Sequence, residues 1–291
     1  MTRFFCWVFS LLALLAFGGL LAVFLWQSLP VWQAEGVGYV TKNRWFFRQQ
    51  EFGAAAMIYG SAMVALVALL VAAPLGLGTA VLMSEYLPNR LRWGMKVLVE
   101  LLAGVPSVVY GLLGILLLRE WVYDSFEAFD LLSGDTLLTA GLLLAVMVLP
   151  TVVTLGDDAL RAVPSTQRRA ARGLGLTRAE VVGSVALPQA ARGMGAALLL
   201  GFGRALGETV AVFLVVGRQD NQLPERWWSM QPLLESGQTL TSKLGGAETS
   251  IAYADDLHWG AMMGLGVLLL VLTGVVTLLG TIFRSRRNAN A

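Results

Sequence analysis

The sequence predicts an all-α membrane protein of six transmembrane helices with both termini in the cytoplasm. Three observations lead there. The 291 residues are 56% hydrophobic and only 14% charged, too apolar for an ordinary soluble domain. The apolar residues fall into runs of about 20, the number that carries a helix rising 1.5 Å per residue across roughly 30 Å of hydrocarbon. The Lys and Arg residues divide unequally between the two sides that those runs define. The net charge of +2 leaves no nucleic-acid footprint. A lone cysteine, Cys6, excludes an intrachain disulfide, and with a lone histidine, His258, it argues against any metal site.

The first span is 4–29, preceded by Arg3. It is longer than the apolar region of a cleaved signal and ends without a small-x-small cleavage pattern, so it reads as uncleaved. Residues 30–56 mix Lys42, Arg44 and Arg48 with Trp32, Tyr39, Trp45, Phe46 and Phe47, a composition suited to headgroup depth. Span two, 57–83, carries Pro74, Gly76 and Gly78. Span three, 97–118, opens on Glu100 and runs through Gly104, Pro106, Ser107 and Gly111, small residues that admit a neighbouring backbone beside a proline that kinks the helix. An acidic loop, 119–136, precedes span four, 137–155, with Pro150 near its end. The long basic segment 157–192 leads into span five, 193–216. A second polar loop, 218–257, holds Trp227 and Trp228, and span six is 259–283. The organisation expected is an N-terminal helix with an outer interfacial segment (1–56), a five-helix core (57–283) with a cytoplasmic loop at 157–192, and a basic cytoplasmic tail (284–291). Of the 21 Lys and Arg, 13 lie on the side of the termini, seven lie opposite, and Arg204 lies within span five. That bias places the termini and the 157–192 loop in the cytoplasm.

Arg204 is the chemical anomaly. Counted from Gly193 it lies about 17 Å along its helix, near the bilayer midplane, where a charge costs at least about 2.5 kcal/mol and has to face protein or water. Glu208 follows at i+4, in reach on the same helical face, with Thr209 beside it. One reading is a structural ion pair between helices. The other is a gated anion site, in which an oxyanion displaces Glu208 from the planar guanidinium fork. One cation matches a multiply charged anion poorly, so a second membrane subunit would add donors. Gly203 and Gly207 offer either a packing face for it or plain intrachain packing. His258 beside Trp259 reads as an interfacial pair, and Asp157-Asp158 and Asp255-Asp256 as solvated loop charges. No Gly-x-x-x-x-Gly-Lys-Ser/Thr loop is present, so the chain hydrolyses no ATP by that route.

The 157–192 loop carries the most specific pattern. Ala170-Ala171, three residues, Gly175, nine residues, and Val185-x-Leu187-Pro188 resemble the coupling loop of bacterial ATP-binding-cassette importer permeases, usually written Glu-Ala-Ala, three residues, Gly, nine residues, Ile-x-Leu-Pro. Arg169 stands where that family has glutamate. Ser165 and Thr177 are placed to cap two short helices that turn at Gly175, making a knob for a nucleotide-binding subunit. An ordinary basic loop explains the arginines but not the spacing. Residues 100–111 and the Arg204-Ala205-Leu206-Gly207-Glu208-Thr209-Val210-Ala211-Val212 element further resemble phosphate importer permeases of the PstC type, over 59–218 and weakly into the last span. That resemblance implies the type I importer permease architecture in the cell inner membrane. It also implies a sister permease of the PstA type, an ATPase dimer of the PstB type that holds ATP and Mg, and a phosphate-binding protein of the PstS type. It implies a substrate path at Arg204, Glu208 and Thr209, and coupling through Arg169, Ala170, Ala171, Gly175, Leu187 and Pro188. No cofactor or metal is expected on this chain. A permease for another oxyanion and a non-transporting phosphate-sensing scaffold are the alternatives.

Overall fold

The computed structural model describes residues 2–129, 131–224 and 231–285. Residues 286–291 of the expected basic tail, and Trp227 and Trp228, lie outside them. In chain order the helices are α1 (Thr2–Glu35), α2 (Gly38–Thr41), α3 (Ala55–Val81), α4 (Asn89–Gly104), α5 (Ser107–Leu113), α6 (Arg119–Ser125), α7 (Leu137–Arg161), α8 (Ser165–Gly173), α9 (Arg178–Val181), α10 (Leu187–Gly207), α11 (Val210–Val215), α12 (Gln231–Leu234), α13 (Leu240–Leu244), α14 (Glu248–Ala252) and α15 (Asp256–Ser285). A two-stranded antiparallel hairpin, β1 (Trp45–Phe46) and β2 (Glu51–Phe52), lies between α2 and α3. Wider π-helical turns at Leu82–Tyr86, Gly114–Leu118 and Val182–Ala186 join α3 to the following loop, α5 to α6, and α9 to α10. Five helices are long and apolar enough to cross a membrane, or six when the bent pair α4 and α5 to α6 counts as one.

The centre is α3 against α7, with α10 laid across both. Glycines set the approach: a Cβ on Gly141 of α7 would fall 2.6 Å from Val67, and one on Gly76 of α3 would fall 2.7 Å from Val152. Around these contacts Val64, Ala68, Leu144, Val148, Ala205 and Leu206 form the main buried cluster. In α1, Phe24 and Pro30 seat against Gly266 and Gly260 of α15, while Trp7 and Trp26 on its other face are exposed, as lipid-facing side chains are.

Two expected spans are broken. In place of one helix over 97–118, α4 and the helix beginning at α5 meet at 91°. Pro106 has no N–H to donate and bars Val105 from helical backbone, so Val105 is extended. Tyr110 repairs part of the loss by donating its hydroxyl to the Leu102 carbonyl at 2.9 Å. Span five also differs from the expected 193–216. A continuous helical run begins at Arg178 and ends at Gly207, Glu208 is extended, and α11 resumes at Val210. The outer halves of the two broken spans pack on each other, with Gly111 against Leu214 and Ala211, and Gly114 against Val215.

At the hairpin end, the segment expected to float at an interface is a packed cap. Tyr39, Trp45 and Phe52 are buried among Leu240, Ala252 and Met262, and the Tyr39 hydroxyl donates to the Ala261 carbonyl at 2.7 Å. His258, expected as a simple interfacial residue, is buried in the same cap, stacked on Phe47 and Phe52 and bonded to Glu248 at 2.9 Å. Lys243, 3% exposed, bridges Asp220 and Glu248 at 2.5 Å each, and Trp45 Nε1 donates to Glu248 at 2.6 Å. Asp255 is no free loop charge either, since it accepts the Leu257 and His258 amides at the start of α15. Burial alone would raise the Glu248 carboxyl, but hydrogen bonds from Lys243, Trp45 and His258 outweigh it and hold it below the usual value.

Adding a methyl at the α3–α7 contact, Gly141→Ala, overpacks it and destabilises the protein by about 1–3 kcal/mol. The check is the unfolding midpoint of purified protein in detergent, and an unchanged midpoint contradicts the close approach. A depressed carboxyl contributes stability above its unfolded value, about 4.3 for Glu, and that stability is lost as pH falls through the lower folded value. Hydrogen exchange in the hairpin should therefore be flat at neutral pH and accelerate in strong acid, and Glu248→Gln should raise exchange at neutral pH.

Candidate functional site

Arg204 sits in the last turn of α10, just before the break. Its Nη1 donates to Thr151 Oγ1 at 3.0 Å. Thr151 is at mid-length of α7, one residue after Pro150, so the guanidinium lies at mid-height of the bundle. The expected pair with Glu208 does not form. Because α10 stops at Gly207, Glu208 leaves the helical face that carries Arg204, and its backbone is extended at φ −75° and ψ 123°. The carbonyl exposed by the break accepts the Thr241 hydroxyl at 2.8 Å, which ties α13 to the break. Thr209 lies on that side as well, its methyl close against Gly245.

The space around these residues is one-sided. On the intramolecular side, Glu208 lines a cavity of about 10 Å³ with Ser61, Thr239 and Thr241, room for no more than a water. Arg204 and Gly207 are exposed on the other side. Gly104, Gly203 and Gly207 have no side-chain or distant backbone atom within 4 Å of where a Cβ would stand. Of the two readings of Gly203 and Gly207, intrachain packing does not apply. Gly111 by contrast packs within the chain, against α11. Ser107 opens α5 directly after Pro106 and is half-buried. An exposed guanidinium, flanked by bare backbone at the depth of hydrocarbon, is an arrangement that a second protein surface or a water-filled path has to complete.

At the other end of the bundle, α8 and α9 form the expected knob. Gly175 makes the turn at φ +87°, backbone that an L side chain rarely adopts. Thr177 caps α9 in a reciprocal box with Glu180, each side chain bonded to the other's backbone amide. Ser165 does not cap α8 as expected; Pro164 holds that position and Ser165 is the first helical residue. Leu187 and Pro188 do not close a separate second helix, because the helix begun at Arg178 continues through them into α10. Whatever moves the knob therefore moves α10 and Arg204 through one continuous helix. Ala171 is buried beneath the knob, while Arg169, Ala170, Gly175 and Pro188 are exposed. Arg169 folds back weakly on Ser165, at 3.3 Å to its hydroxyl. Leu174, which sequence reasoning passed over, stands 83% exposed at the tip. Its signal was present as a leucine between two glycines in a basic segment.

Comparison with known proteins places these features. The family described as binding-protein-dependent transport system inner membrane component matches residues 72–289. The chain is 30% identical over 286 residues to the phosphate transport system permease protein PstC of Mesorhizobium japonicum, covering 92% of this chain and 84% of the relative. It is 33% identical to the PstC of Pasteurella multocida, covering 94% and 87%, and 33% identical to PstC 2 of Mycobacterium tuberculosis, covering 88% and 83%. Among solved structures, an inward-facing MetNI methionine ABC transporter chain superposes with a TM-score of 0.59 at 18% identity, covering 79% of this chain and 94% of that one. The last comparison shows a shared ABC transporter permease fold.

Proposed function

Since this chain belongs to the family of binding-protein-dependent transport system inner membrane components, we propose that it is the transmembrane permease subunit of an ATP-driven importer of inorganic phosphate. Its similarity across nearly the whole length to proteins named PstC supports the substrate. The observation that carries the mechanism is Arg204, exposed at mid-bundle and held only by Thr151.

In this reading the open face beside Arg204 is walled by a sister permease of the PstA type, and phosphate passes between the two. The guanidinium meets the anion with paired N–H donors, an interaction strengthened by the low dielectric around it. Thr151 holds the side chain in position until the anion arrives. Glu208, turned away by the break, and Thr209 line the path on the side of α13. A phosphate-binding protein of the PstS type delivers substrate to the hairpin end, and an ATPase dimer of the PstB type, carrying ATP and Mg, receives the knob at Leu174 and its neighbours. The knob then faces the cytoplasm and the protein resides in the cell inner membrane. This chain provides no hydrolytic chemistry of its own.

Alternating access follows from the covalent continuity of α9 and α10. Closure of the ATPase dimer displaces the knob, α10 carries Arg204 with it, and the breaks at 105–106 and 208–209 let α5 and α11 stay together while the inner halves move. Motion at two predefined breaks costs less than bending intact helices, whose backbone bonds have no substitute in lipid.

Replacing Arg204 by Gln should reduce phosphate uptake to background while the four-component complex still co-purifies; unchanged uptake would contradict the assignment. Placing a β-branched residue at the turn, Gly175→Val, forces a left-handed backbone costing about 1–2 kcal/mol. The expected result is loss of the ATPase on co-purification, or hydrolysis without uptake.

A further inference from the structure

Four charges lie buried between the knob and the core. Arg168, on the inner side of α8, donates from Nη1 to Glu85 and from Nη2 to the Leu160 carbonyl at 2.5 Å. Glu85, only 4% exposed, sits in the π-helical turn that ends α3. Leu160 belongs to the last turn of α7. One side chain thus fastens the knob to both central helices. One turn back along α7 is Asp157, 5% exposed, whose Oδ2 accepts from Arg92 Nη2 of α4 at 2.6 Å.

Each pair has a polar atom left over. Arg168 Nε and Asp157 Oδ1 are buried without a hydrogen-bond partner, one a donor and the other an acceptor. Residues 157 and 160 are neighbours on one helical face, so a guanidinium resting on the Leu160 carbonyl lies beside the Asp157 carboxylate. Unpaired buried polar atoms of this kind are costly and rare in a resting structure. A conformation that joins them gains a charge-assisted bond.

We infer that Arg168 is a positioning residue for transport, and that when the knob is displaced its free Nε takes the free Oδ1 of Asp157, linking the two ion pairs into one network across α3, α4, α7 and α8. The inference rests on the reading that an ATPase drives this chain. The knob is held in two defined positions, each with its own set of charge-assisted bonds, and the core follows one or the other. Asp157, expected from sequence as a solvated charge, becomes the acceptor that defines the second position.

The test uses the complete complex in proteoliposomes and measures phosphate taken up per ATP hydrolysed, alongside co-purification of the ATPase. Arg168→Lys keeps a cation for Glu85 but lacks the fork that reaches three acceptors. The exchange Glu85→Arg with Arg168→Glu restores a salt bridge but sets a carboxylate against Asp157. For both variants the ATPase should still co-purify, with uptake per ATP down by about tenfold, within the range of a single coupling free energy. Uptake per ATP within about twofold of wild type in either variant would overturn the inference, since a static fastening is all that either one preserves. Wild-type complex that hydrolyses ATP without any uptake would overturn the transport reading and this inference with it. Normal wild-type uptake with unaffected variants overturns this inference alone.

Discussion

Inside a bilayer every backbone N–H and C=O has to find a partner within the protein, and this chain breaks two helices where that rule bites hardest. The breaks are not left open. Tyr110 reaches back to the Leu102 carbonyl across the first, and Thr241 reaches the Glu208 carbonyl at the second. Both repairs use hydroxyls from residues outside the broken turn, so the breaks are stable only in the context of the packed bundle. They hold the outer halves, α5 and α11, as a unit seated on Gly111 and Gly114. Once the second break is fixed, Arg204 stands at the end of a helix with its neighbour Glu208 turned away. Its charge is then free for a ligand.

The opposite end of the bundle obeys a different economy of charge. There the ion pairs Arg168 with Glu85 and Arg92 with Asp157 are largely withdrawn from water. A buried pair is weak evidence of stability, because desolvation offsets much of the attraction. Such pairs specify geometry, and here they specify where the knob sits relative to α3 and α7. The continuous helix from Arg178 to Gly207 connects that geometry to the guanidinium at mid-height.

Much of this was legible in the sequence. Apolar run length located the spans, since hydrocarbon thickness leaves little choice, and the Ala170, Gly175 and Pro188 spacing located the knob. Gly175 and Thr177 act locally, through a positive φ and a reciprocal cap, so their effects could be read from neighbours in the chain. The breaks were harder. Pro106 announces a kink, but its 91° size depends on α11 being there to receive α5. The break after Gly207 has no proline at all, so an i, i+4 pairing of Arg204 and Glu208 was the natural expectation. Thr151, Thr241 and Glu85 carry no local signal, because each acts on a residue more than 30 positions away. The cap is the clearest case of tertiary override. Aromatics that suit a headgroup region, Tyr39 and Trp45, are packed with Leu240 and Met262 instead.

The account comes down to a path for an oxyanion beside Arg204, opened and closed by a partner that consumes ATP. The most direct test is uptake of radiolabelled phosphate into proteoliposomes containing this chain, a sister permease, the ATPase and the phosphate-binding protein. Accumulation that requires ATP inside, binding protein outside and this chain in the membrane is the predicted result. Phosphate-dependent ATP hydrolysis or binding without any accumulation would contradict it and leave the chain a sensor.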